Sequence, residues 1–250
     1  MGDQARDARD RITTEFERAA HGFAERTKGR FDDLDVVEFS HVRPSDTVAE
    51  VGAGTGHFLS LFEGAAARLV ALDLTFGMLA QARADHPLLE LVVSDGNRLP
   101  LADGSIDLVC SAQMFHHVER PVPILKEMAR VAGPEGKVLI VDQASTERYE
   151  EILARHELEM VRDPSHAATR PPSAFRIMFT AAGLEITDEK IVEAEQRLSK
   201  WMWPGEFPDE RIAAVRRFIE EHGHETGMEF RKVGDDWAFT RRRIMLLAQS

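Results

Sequence analysis

The sequence predicts one α/β domain with a mostly parallel, doubly wound sheet. Two observations carry this prediction. Short apolar runs alternate with segments of helical periodicity from residue 47 to residue 142, which is typical of βαβ units with right-handed crossovers. The first run leads into a turn with glycine at positions 52, 54 and 56, and glycine lets a backbone bend sharply or approach a ligand closely.

The elements up to residue 142 follow from hydrophobic spacing. Residues 3–28 are predicted to form an amphipathic helix, and a second helix is predicted over 33–41. The apolar face of the first helix consists of Ile12, Phe16, Ala19, Ala20 and Phe23. Five short apolar runs bounded by turn residues are predicted strands, near 47–51, 68–73, 89–94, 106–111 and 136–142.

The elements after residue 142 are separated by prolines and glycines. A helix is predicted over 147–161, and Pro164, Pro171 and Pro172 interrupt the chain after it. A helix over 173–182 is predicted to end at Gly183, which suits a helix C-cap. The remaining predicted elements are a strand over 184–192, an insertion over 199–226 with a helix at 209–222, and a hairpin of 230–233 with 237–248.

A nucleotide-like cofactor is predicted at the glycine turn. A dinucleotide fingerprint reads G-x-G-x-x-G, whereas this turn reads G-x-G-x-G and is followed by His57. Asp73 ends the second predicted strand, where a carboxylate can accept hydrogen bonds from two ribose hydroxyls. Asp95 ends the third predicted strand. Polar residues at the ends of neighbouring parallel strands face one crevice, where ligands bind.

These signals, in this order, resemble the class I S-adenosylmethionine-dependent methyltransferases, and most of all the small-molecule enzymes related to those of ubiquinone and menaquinone biosynthesis. The resemblance covers about 48–142 and is weaker from the N-terminus to residue 184. It rests on the segments Glu50–Gly56, Leu72-Asp73 with Met78-Leu79, Asp95–Pro100, Ser105–Val109, His116–Val118 and Gly136–Ile140. It implies a Rossmann-like sheet of seven strands with an antiparallel last strand, S-adenosylmethionine as cofactor and S-adenosylhomocysteine as product.

The resemblance also implies roles for single residues around the glycine turn. Gly52, Gly54 and Gly56 would cradle the methionine part of the cofactor. Glu50 would reach the amino group of that part, through water, and Asp73 would bind the ribose hydroxyls.

The adenine end and the rim of the cofactor involve a second set of residues. Asp95 would accept a hydrogen bond from the adenine amino group, and the N–H of Gly96 or Asn97 would face a ring nitrogen. The carbonyl of Ser111 would hold the amino group of the methionine part from the other side. The remaining residues expected to contact the cofactor are Ala53 and Leu74.

Three histidines are the acid–base candidates. His116 and His117 follow the fourth predicted strand and could accept a proton from the acceptor during methyl transfer. They could equally form the wall of the pocket without a chemical role. His166 closes the stretch Arg162–His166, which the resembled subgroup shares, and it is either a substrate contact or part of an exposed turn. No metal is expected, because the histidines lack ligand spacing with a carboxylate.

Aromatic residues outside the core segment allow two interpretations each. Trp201, Trp203 and Phe207 could form a lid over an apolar substrate or could pack the insertion against the sheet edge. The N-terminal segment also allows two interpretations. Its residues Phe16, Phe23 and Arg26 could cap the cofactor, or the segment could be a plain amphipathic helix packed on the core.

Composition narrows the range of partners. The net charge of −12 disfavours nucleic acid, and the basic run Arg241–Arg243 would alternate between faces on a strand. A single cysteine, Cys110, excludes a disulfide within the chain and fits a reducing cytoplasm. No apolar run reaches the roughly 20 residues of a membrane span, and the first residues lack a signal core. A monomer or a homodimer is compatible with this surface.

The sequence therefore predicts a single methyltransferase domain over 1–250. Its parts are N-terminal cap helices at 1–42, a cofactor-binding core at 43–145 and substrate-side elements at 146–250. The predicted reaction is direct methyl transfer from S-adenosylmethionine to a small organic acceptor. Two alternatives stay open: a cofactor-binding protein of the same fold without methyl transfer, such as a cyclase or regulatory subunit, and an NAD-dependent oxidoreductase.

Overall fold

The computed structural model describes residues 16, 17, 22, 25, 27–202 and 207–250. Most of the predicted first helix, including Ile12, Ala19, Ala20, Phe23 and Arg26, lies outside these residues, as does Trp203. The first described helix, α1, spans Val36–Ser40 and confirms the second predicted helix.

Strands and helices alternate through the first half of the chain as the hydrophobic pattern predicts. The strands are β1 (Thr47–Val51), β2 (Arg68–Asp73), β3 (Glu90–Val93), β4 (Leu108–Ala112) and β5 (Lys137–Gln143). The helices of this half are α2 (Phe76–Asp85) and α3 (Pro121–Ala132). The glycine turn leads into a four-residue 3₁₀ helix, Leu59–Phe62.

The second half of the chain adds helices and long antiparallel strands. The helices are α4 (Tyr149–Arg162), α5 (Pro172–Ala182), α6 (Leu198–Trp201) and α7 (Asp209–His222). The strands are β6 (Glu185–Arg197), β7 (Arg231–Val233) and β8 (Asp236–Gln249). The C-cap of α5 is confirmed, since Gly183 has a φ of 82° and its N–H bonds to carbonyls of the last turn.

The sheet has the order β3-β2-β1-β4-β5-β8-β6. Strands β1 to β5 pair in parallel, and β8 runs antiparallel to both β5 and β6. This confirms the predicted sheet with one addition: β7 pairs with β8 as an eighth strand, through the predicted hairpin. The strand order reverses between β1 and β4, which is where open α/β sheets bind ligands.

Apolar side chains cover both faces of the sheet. Ala49 and Val70 point to the face covered by α3 and α5, and their neighbours Val48 and Ala71 point to the other face. Strands buried on both sides are typical of a doubly wound sheet.

A third cluster of apolar residues explains why β6 and β8 are longer than predicted. Both strands extend past the main core and carry the insertion on their far ends. The fully buried members of this cluster are Leu158, Leu198, Met202, Val215, Ile219, Met228 and Phe239. Trp201 and Phe207 pack against it, so their packing role is present in the structure.

Candidate functional site

A cavity of about 530 Å³ opens at the carboxyl ends of β1, β2 and β4. This is the point where the strand order reverses. Eight of the ten predicted cofactor residues line it: Glu50, Gly52, Ala53, Gly54, Asp73, Leu74, Asp95 and Gly96. We call this space the cofactor cavity.

The three glycines of the turn have different surroundings although all have positive φ. Their φ angles are 74° at Gly52, 54° at Gly54 and 80° at Gly56, where other residues would be strained. A Cβ on Gly52 would lie 2.6 Å from the Sδ of Met114, and one on Gly56 would lie 2.7 Å from Leu89. A Cβ on Gly54 would meet nothing within 4 Å, so only Gly54 faces open space at the cavity.

The carboxylate of Asp73 connects the end of β2 to the glycine turn. Its Oδ2 accepts a hydrogen bond of 2.8 Å from the N–H of Gly54, and its Oδ1 accepts one of 2.8 Å from the N–H of Thr75. A carboxylate offers about four acceptor sites, so these two bonds leave room for ligand hydroxyls. Burial raises the pKa of Asp73, and these hydrogen bonds oppose the rise.

Glu50 places a buried carboxyl group on the wall of the cofactor cavity. It is 1% exposed, and its Oε2 accepts a hydrogen bond of 3.1 Å from the N–H of Leu59. Burial raises the pKa of Glu50 well above its usual value, and the nearby charge of Asp73 raises it further. A buried acid of this kind favours a ligand that brings positive charge.

Asp95 shapes the loop after β3. Its Oδ1 accepts hydrogen bonds from the backbone N–H of Asn97 at 3.0 Å and from the side-chain amide of the same residue at 2.9 Å. A Cβ on Gly96 would lie 3.1 Å from Val51, so this glycine lets the loop approach β1 closely.

Two of the ten predicted residues lie outside the cofactor cavity. Gly56 packs beneath the turn against Leu89. Ser111 is fully buried, and its hydroxyl donates a hydrogen bond of 2.7 Å to the carbonyl of Val51. Strand β4 continues one residue further than predicted, so that Ala112 and Gln113 reach the cavity in place of Ser111.

A second cavity of about 500 Å³ adjoins the first, and we call it the acceptor cavity. It lies between β5, β8, α4 and the insertion. The described residues that line both cavities are Phe16, Thr27, Arg30, Gln113 and His117. The two cavities therefore meet at His117, which is one of the predicted bases.

His116 and His117 lie side by side at this junction, with ring centroids 4.0 Å apart. His116 Nδ1 lies 2.7 Å from Oδ1 of the buried Asp142, and Asp142 Oδ2 accepts a further bond from the N–H of Phe115. The charge of His116 helps keep the pKa of Asp142 low, against the effect of burial. His116 lines only the acceptor cavity, whereas His117 lines both.

His117 is held by the loop that contains Asp163 and Ser165. Its Nδ1 lies 3.1 Å from the carbonyl of Ser165, which can only accept, so Nδ1 carries the proton and Nε2 keeps a lone pair. The hydroxyl of Ser165 donates in turn to Asp163 at 2.5 Å. Burial, and then the charge of His116, lower the pKa of His117 to about 4.

The structure places His166 outside the lining of both cavities. Its Nε2 lies 3.0 Å from the hydroxyl of Thr169, and burial lowers its pKa to about 3. The loop that carries it is bound to the histidine pair, because Ala167 and Ala168 donate hydrogen bonds to the carbonyl of His116. His166 thus contacts Thr169 within its own loop and is buried, whereas the sequence pattern allowed an exposed turn.

Gln113 is a site residue that the sequence analysis missed. Its φ is 55°, which is uncommon for a residue other than glycine, and strained residues of this kind concentrate at functional sites. Its Oε1 accepts hydrogen bonds from Arg30 at 3.0 Å and Arg241 at 3.4 Å. Asp142 was missed as well, although an acid near the end of the apolar fifth strand was a usable signal.

The part of the chain that the structure describes has no group of three or more His, Cys, Asp or Glu side chains placed to hold a metal ion. None of the helices in this part is both long and apolar enough to cross a membrane.

Comparisons with known proteins agree with this geometry. The family described as a methyltransferase domain matches residues 49–140. The chain is 34% identical over 107 residues to a demethylmenaquinone methyltransferase of Renibacterium salmoninarum, which covers 43% of this chain and 45% of that protein. It is 40% identical over 100 residues to a malonyl-[acyl-carrier protein] O-methyltransferase of Methylococcus capsulatus, which covers 38% of this chain and 36% of that protein. The chain thus spans less than half the length of these two relatives.

A longer match involves the YcgJ protein of Bacillus subtilis, an uncharacterized methyltransferase. It is 27% identical to this chain over 188 residues, which covers 72% of this chain and 74% of that protein. Its crystal structure superposes with a TM-score of 0.77 at 21% identity, covering 86% of this chain and 96% of that one, and so shows a shared fold. Residues 49–140 of the chain therefore match a methyltransferase domain, and the chain shares its fold with the YcgJ protein.

Proposed function

We propose that the protein transfers the methyl group of S-adenosylmethionine to a small organic molecule. The observation that carries the proposal is the cofactor cavity, where Glu50, Gly54 and Asp73 converge at the reversal of strand order. The match to a methyltransferase domain over residues 49–140 supports the choice of cofactor. The name of the first relative supports a small acceptor, whereas the name of the second gives a malonyl group attached to an acyl-carrier protein.

The residues of the cofactor cavity suit this cofactor. S-adenosylmethionine carries an ammonium and a sulfonium group, and the buried carboxyl of Glu50 favours positive charge. We assign the ribose hydroxyls to Asp73, the adenine to Asp95 and Gly96, and the methionine part to Gly52 and Gly54. Ala53 and Leu74 complete the set of proposed contacts. NAD has no ammonium group to compensate Glu50, which argues against the oxidoreductase alternative.

The cofactor supplies a methyl group that is already activated on a sulfonium. The task of the protein is then to hold the acceptor in line with that methyl group and to exclude water. His117 lies where the two cavities meet, with Nε2 as its available acceptor atom. We propose that this atom takes up the proton that an acceptor loses.

His116 is the second proposed base, and Asp142 positions it. The hydrogen bond between Asp142 and His116 Nδ1 fixes the ring and would stabilise an imidazolium. His166 has no place in this mechanism, because it lines neither cavity.

The test separates methyl transfer from binding alone. Purified protein is incubated with S-adenosylmethionine and a panel of small phenols, amines and organic acids, and S-adenosylhomocysteine is quantified by mass spectrometry. We expect acceptor-dependent product that carries one additional methyl group. Tight binding of S-adenosylmethionine without turnover over a broad panel would favour the binding-protein alternative.

A further inference from the structure

The acceptor cavity is cationic although the chain as a whole carries a net charge of −12. Six of its described lining residues are cations: Arg30, Arg155, Arg162, Lys200, Arg211 and Arg241. Two are carboxylates, Glu159 and Asp163. A cavity of one charge sign concentrates ligands of the opposite sign.

Both carboxylates of this cavity are already paired with the same arginine. Arg162 Nε lies 2.9 Å from Glu159, and Arg162 Nη2 lies 3.7 Å from Asp163. Arg162 also stacks over the ring of Trp201, with the guanidinium carbon 4.6 Å from the ring centroid. Arg162 thus forms an ion pair with each of the two carboxylates.

Arg241 is the clearest case, among the described residues, of a cation without a carboxylate in ion-pair contact. None of their carboxylates lies within 4.0 Å of it, its hydrogen bond to Gln113 is 3.4 Å long, and Asp33 attracts it only from a greater distance. Burial lowers the pKa of Arg241, and the neighbouring Arg30 and Arg243 lower it further. A desolvated cation next to other cations is unfavourable unless an anion joins it.

Arg155 adds a buried cation from helix α4, whose charge Glu159 and Asp142 offset in part. It is 3% exposed, and burial lowers its pKa. Its Nη1 donates to the carbonyl of Ala144 at 2.5 Å, and its Nε has no hydrogen-bond partner. The amide nitrogens of Gln113 and Gln143, which line the same cavity, are also buried without partners. Buried donors without acceptors are rare in folded proteins, so this concentration of them points to an oxygen-rich ligand.

The remaining wall of the acceptor cavity is aromatic. Trp201, Phe207 and Phe239 line it, together with Met228, which belongs to the same apolar cluster. The ring centroids of Trp201 and Phe239 are 4.9 Å apart. A flat apolar ligand would bury its surface against these side chains.

We propose that the methyl acceptor is a small organic acid, whose carboxylate or phosphate group pairs with Arg241 while its apolar body lies against Trp201, Phe207 and Phe239. This inference rests on the proposed function, since it names the substrate class of that reaction. Arg155 contributes positive charge and one unpaired donor, its Nε, from helix α4.

The transfer step balances for such an acceptor. A lone pair of the acceptor forms the new bond to the methyl carbon, and the electron pair of the breaking carbon–sulfur bond remains on sulfur in S-adenosylhomocysteine. A proton bound to the attacking atom passes to Nε2 of His117. If the oxyanion itself attacks, no proton has to leave. A weak base such as His117 suits an acceptor that is acidic or already ionised.

The experiment uses three probes of similar shape: benzoate, phenyl phosphate and the neutral benzamide. Melting temperatures of the full chain with saturating S-adenosylhomocysteine are compared at equal ionic strength. The test variant is Arg241→Gln. The control is Arg242→Gln on the same strand, because Arg242 pairs with Glu193 and lines neither cavity.

We expect at least one of the two anions to raise the melting temperature of the wild type by about 2–4 °C, as binding of a ligand to the folded state does. Benzamide should not have this effect. The increase should be lost in Arg241→Gln and kept in Arg242→Gln. The anion that raises the melting temperature more, benzoate or phenyl phosphate, identifies the preferred oxyanion. We also expect Arg241→Gln without probes to melt at a higher temperature than the wild type.

The inference is overturned if neither anion stabilises the wild type more than benzamide does, or if Arg241→Gln keeps the increase. Failure of the proposed function is visible separately in the same experiment. If S-adenosylhomocysteine itself does not raise the melting temperature of the wild type, the cofactor assignment is wrong whatever the anions do.

Discussion

The carboxylate of Asp73 and the backbone N–H of Gly54 form a hydrogen bond of 2.8 Å that joins the ends of two neighbouring strands. Asp73 ends β2, and Gly54 lies in the turn after β1. The same carboxylate also accepts from Thr75. One side chain thus sets the shape of the glycine turn and offers its remaining acceptor sites to the cofactor cavity, so its loss should reduce binding more than folding.

Asp73→Asn should weaken the binding of S-adenosylhomocysteine by about ten- to a hundredfold. The amide keeps one acceptor oxygen but loses the charge, and hydrogen bonds to charged groups contribute about 1.5–3 kcal/mol. The matched control is Asp107→Asn, where a carboxylate outside the cavity accepts a bond of 2.8 Å from Thr47. Calorimetric affinities that are equal for the two variants would contradict the ribose assignment.

Gly54→Ala should abolish cofactor binding. Its loss of unfolding free energy should be nearly the same as that of the control variant, Gly64→Ala. Both glycines have positive φ, 54° and 77°, and a Cβ on either would meet no protein atom within 4 Å. Each variant should therefore lose about 1–2 kcal/mol of unfolding free energy from backbone strain. Of these two glycines, only Gly54 lines the cofactor cavity. Urea unfolding and calorimetric titration measure the two effects, and full cofactor affinity in Gly54→Ala would contradict the proposed cradle.

Glu50→Gln should raise the stability of the ligand-free protein and weaken binding of the cofactor. The pKa of Glu50 is raised well above 4.5 by burial, so the folded state holds the proton more tightly than the unfolded state does. The wild type therefore loses stability as pH rises from about 4.5 through the folded pKa, and the glutamine variant avoids this loss.

Melting curves from pH 4.5 to pH 8 check this prediction about Glu50. The difference in melting temperature between Glu50→Gln and the wild type should be small at pH 4.5 and should grow toward pH 8. A difference that stays constant with pH would show that Glu50 does not titrate as the structure implies.

His117→Ala should reduce kcat far more than it reduces the affinity for S-adenosylhomocysteine. General-base catalysis contributes typically about 10²–10⁴-fold, and no cofactor assignment above uses this ring. The exposed His224→Ala is the control. Wild-type turnover in His117→Ala would reduce the residue to a wall of the pocket.

The pH dependence of activity provides a second check on His117. Its pKa is lowered to about 4, so the ring stays neutral and able to accept a proton well below the usual value of 6.5. We expect kcat to remain level as pH falls through 6.5 and to decline only near 4. The unfolding free energy should also decrease as pH falls from 6.5 toward 4. In this range the unfolded state binds a proton at His117 and the folded state does not, so protonation favours unfolding. His117→Gln should show less of this loss.

Local patterns were sufficient to predict the alternating strands and helices up to residue 142, whereas the antiparallel last strand was predicted from the family resemblance. Strand bounds follow from short apolar runs, and β1 and β2 match their predicted bounds. The positions of the glycine turn and Asp73 at one cavity were predictable because they depend on spacing within one βαβ unit. The exceptions are small shifts, such as the one-residue extension of β4 that moves Ser111 out of the cavity.

The acceptor side could not be predicted because it depends on contacts between distant segments. Gln113 and Arg241 are 128 positions apart, and their contact exists because β4 and β8 both flank β5. Gln113 adopts its positive φ without any local sequence signal. The arginine run 241–243 was interpreted only as side chains alternating between faces, and the structure shows that alternation sends Arg241 into the cavity and Arg242 to Glu193.

The most direct test of the central claim is calorimetric titration of the protein with S-adenosylmethionine, S-adenosylhomocysteine and NAD in parallel. We expect both adenosyl ligands to bind, with dissociation constants of about 1–100 μM, and NAD not to bind. Binding of NAD alone, or of none of the three, would contradict the assignment of the cofactor cavity.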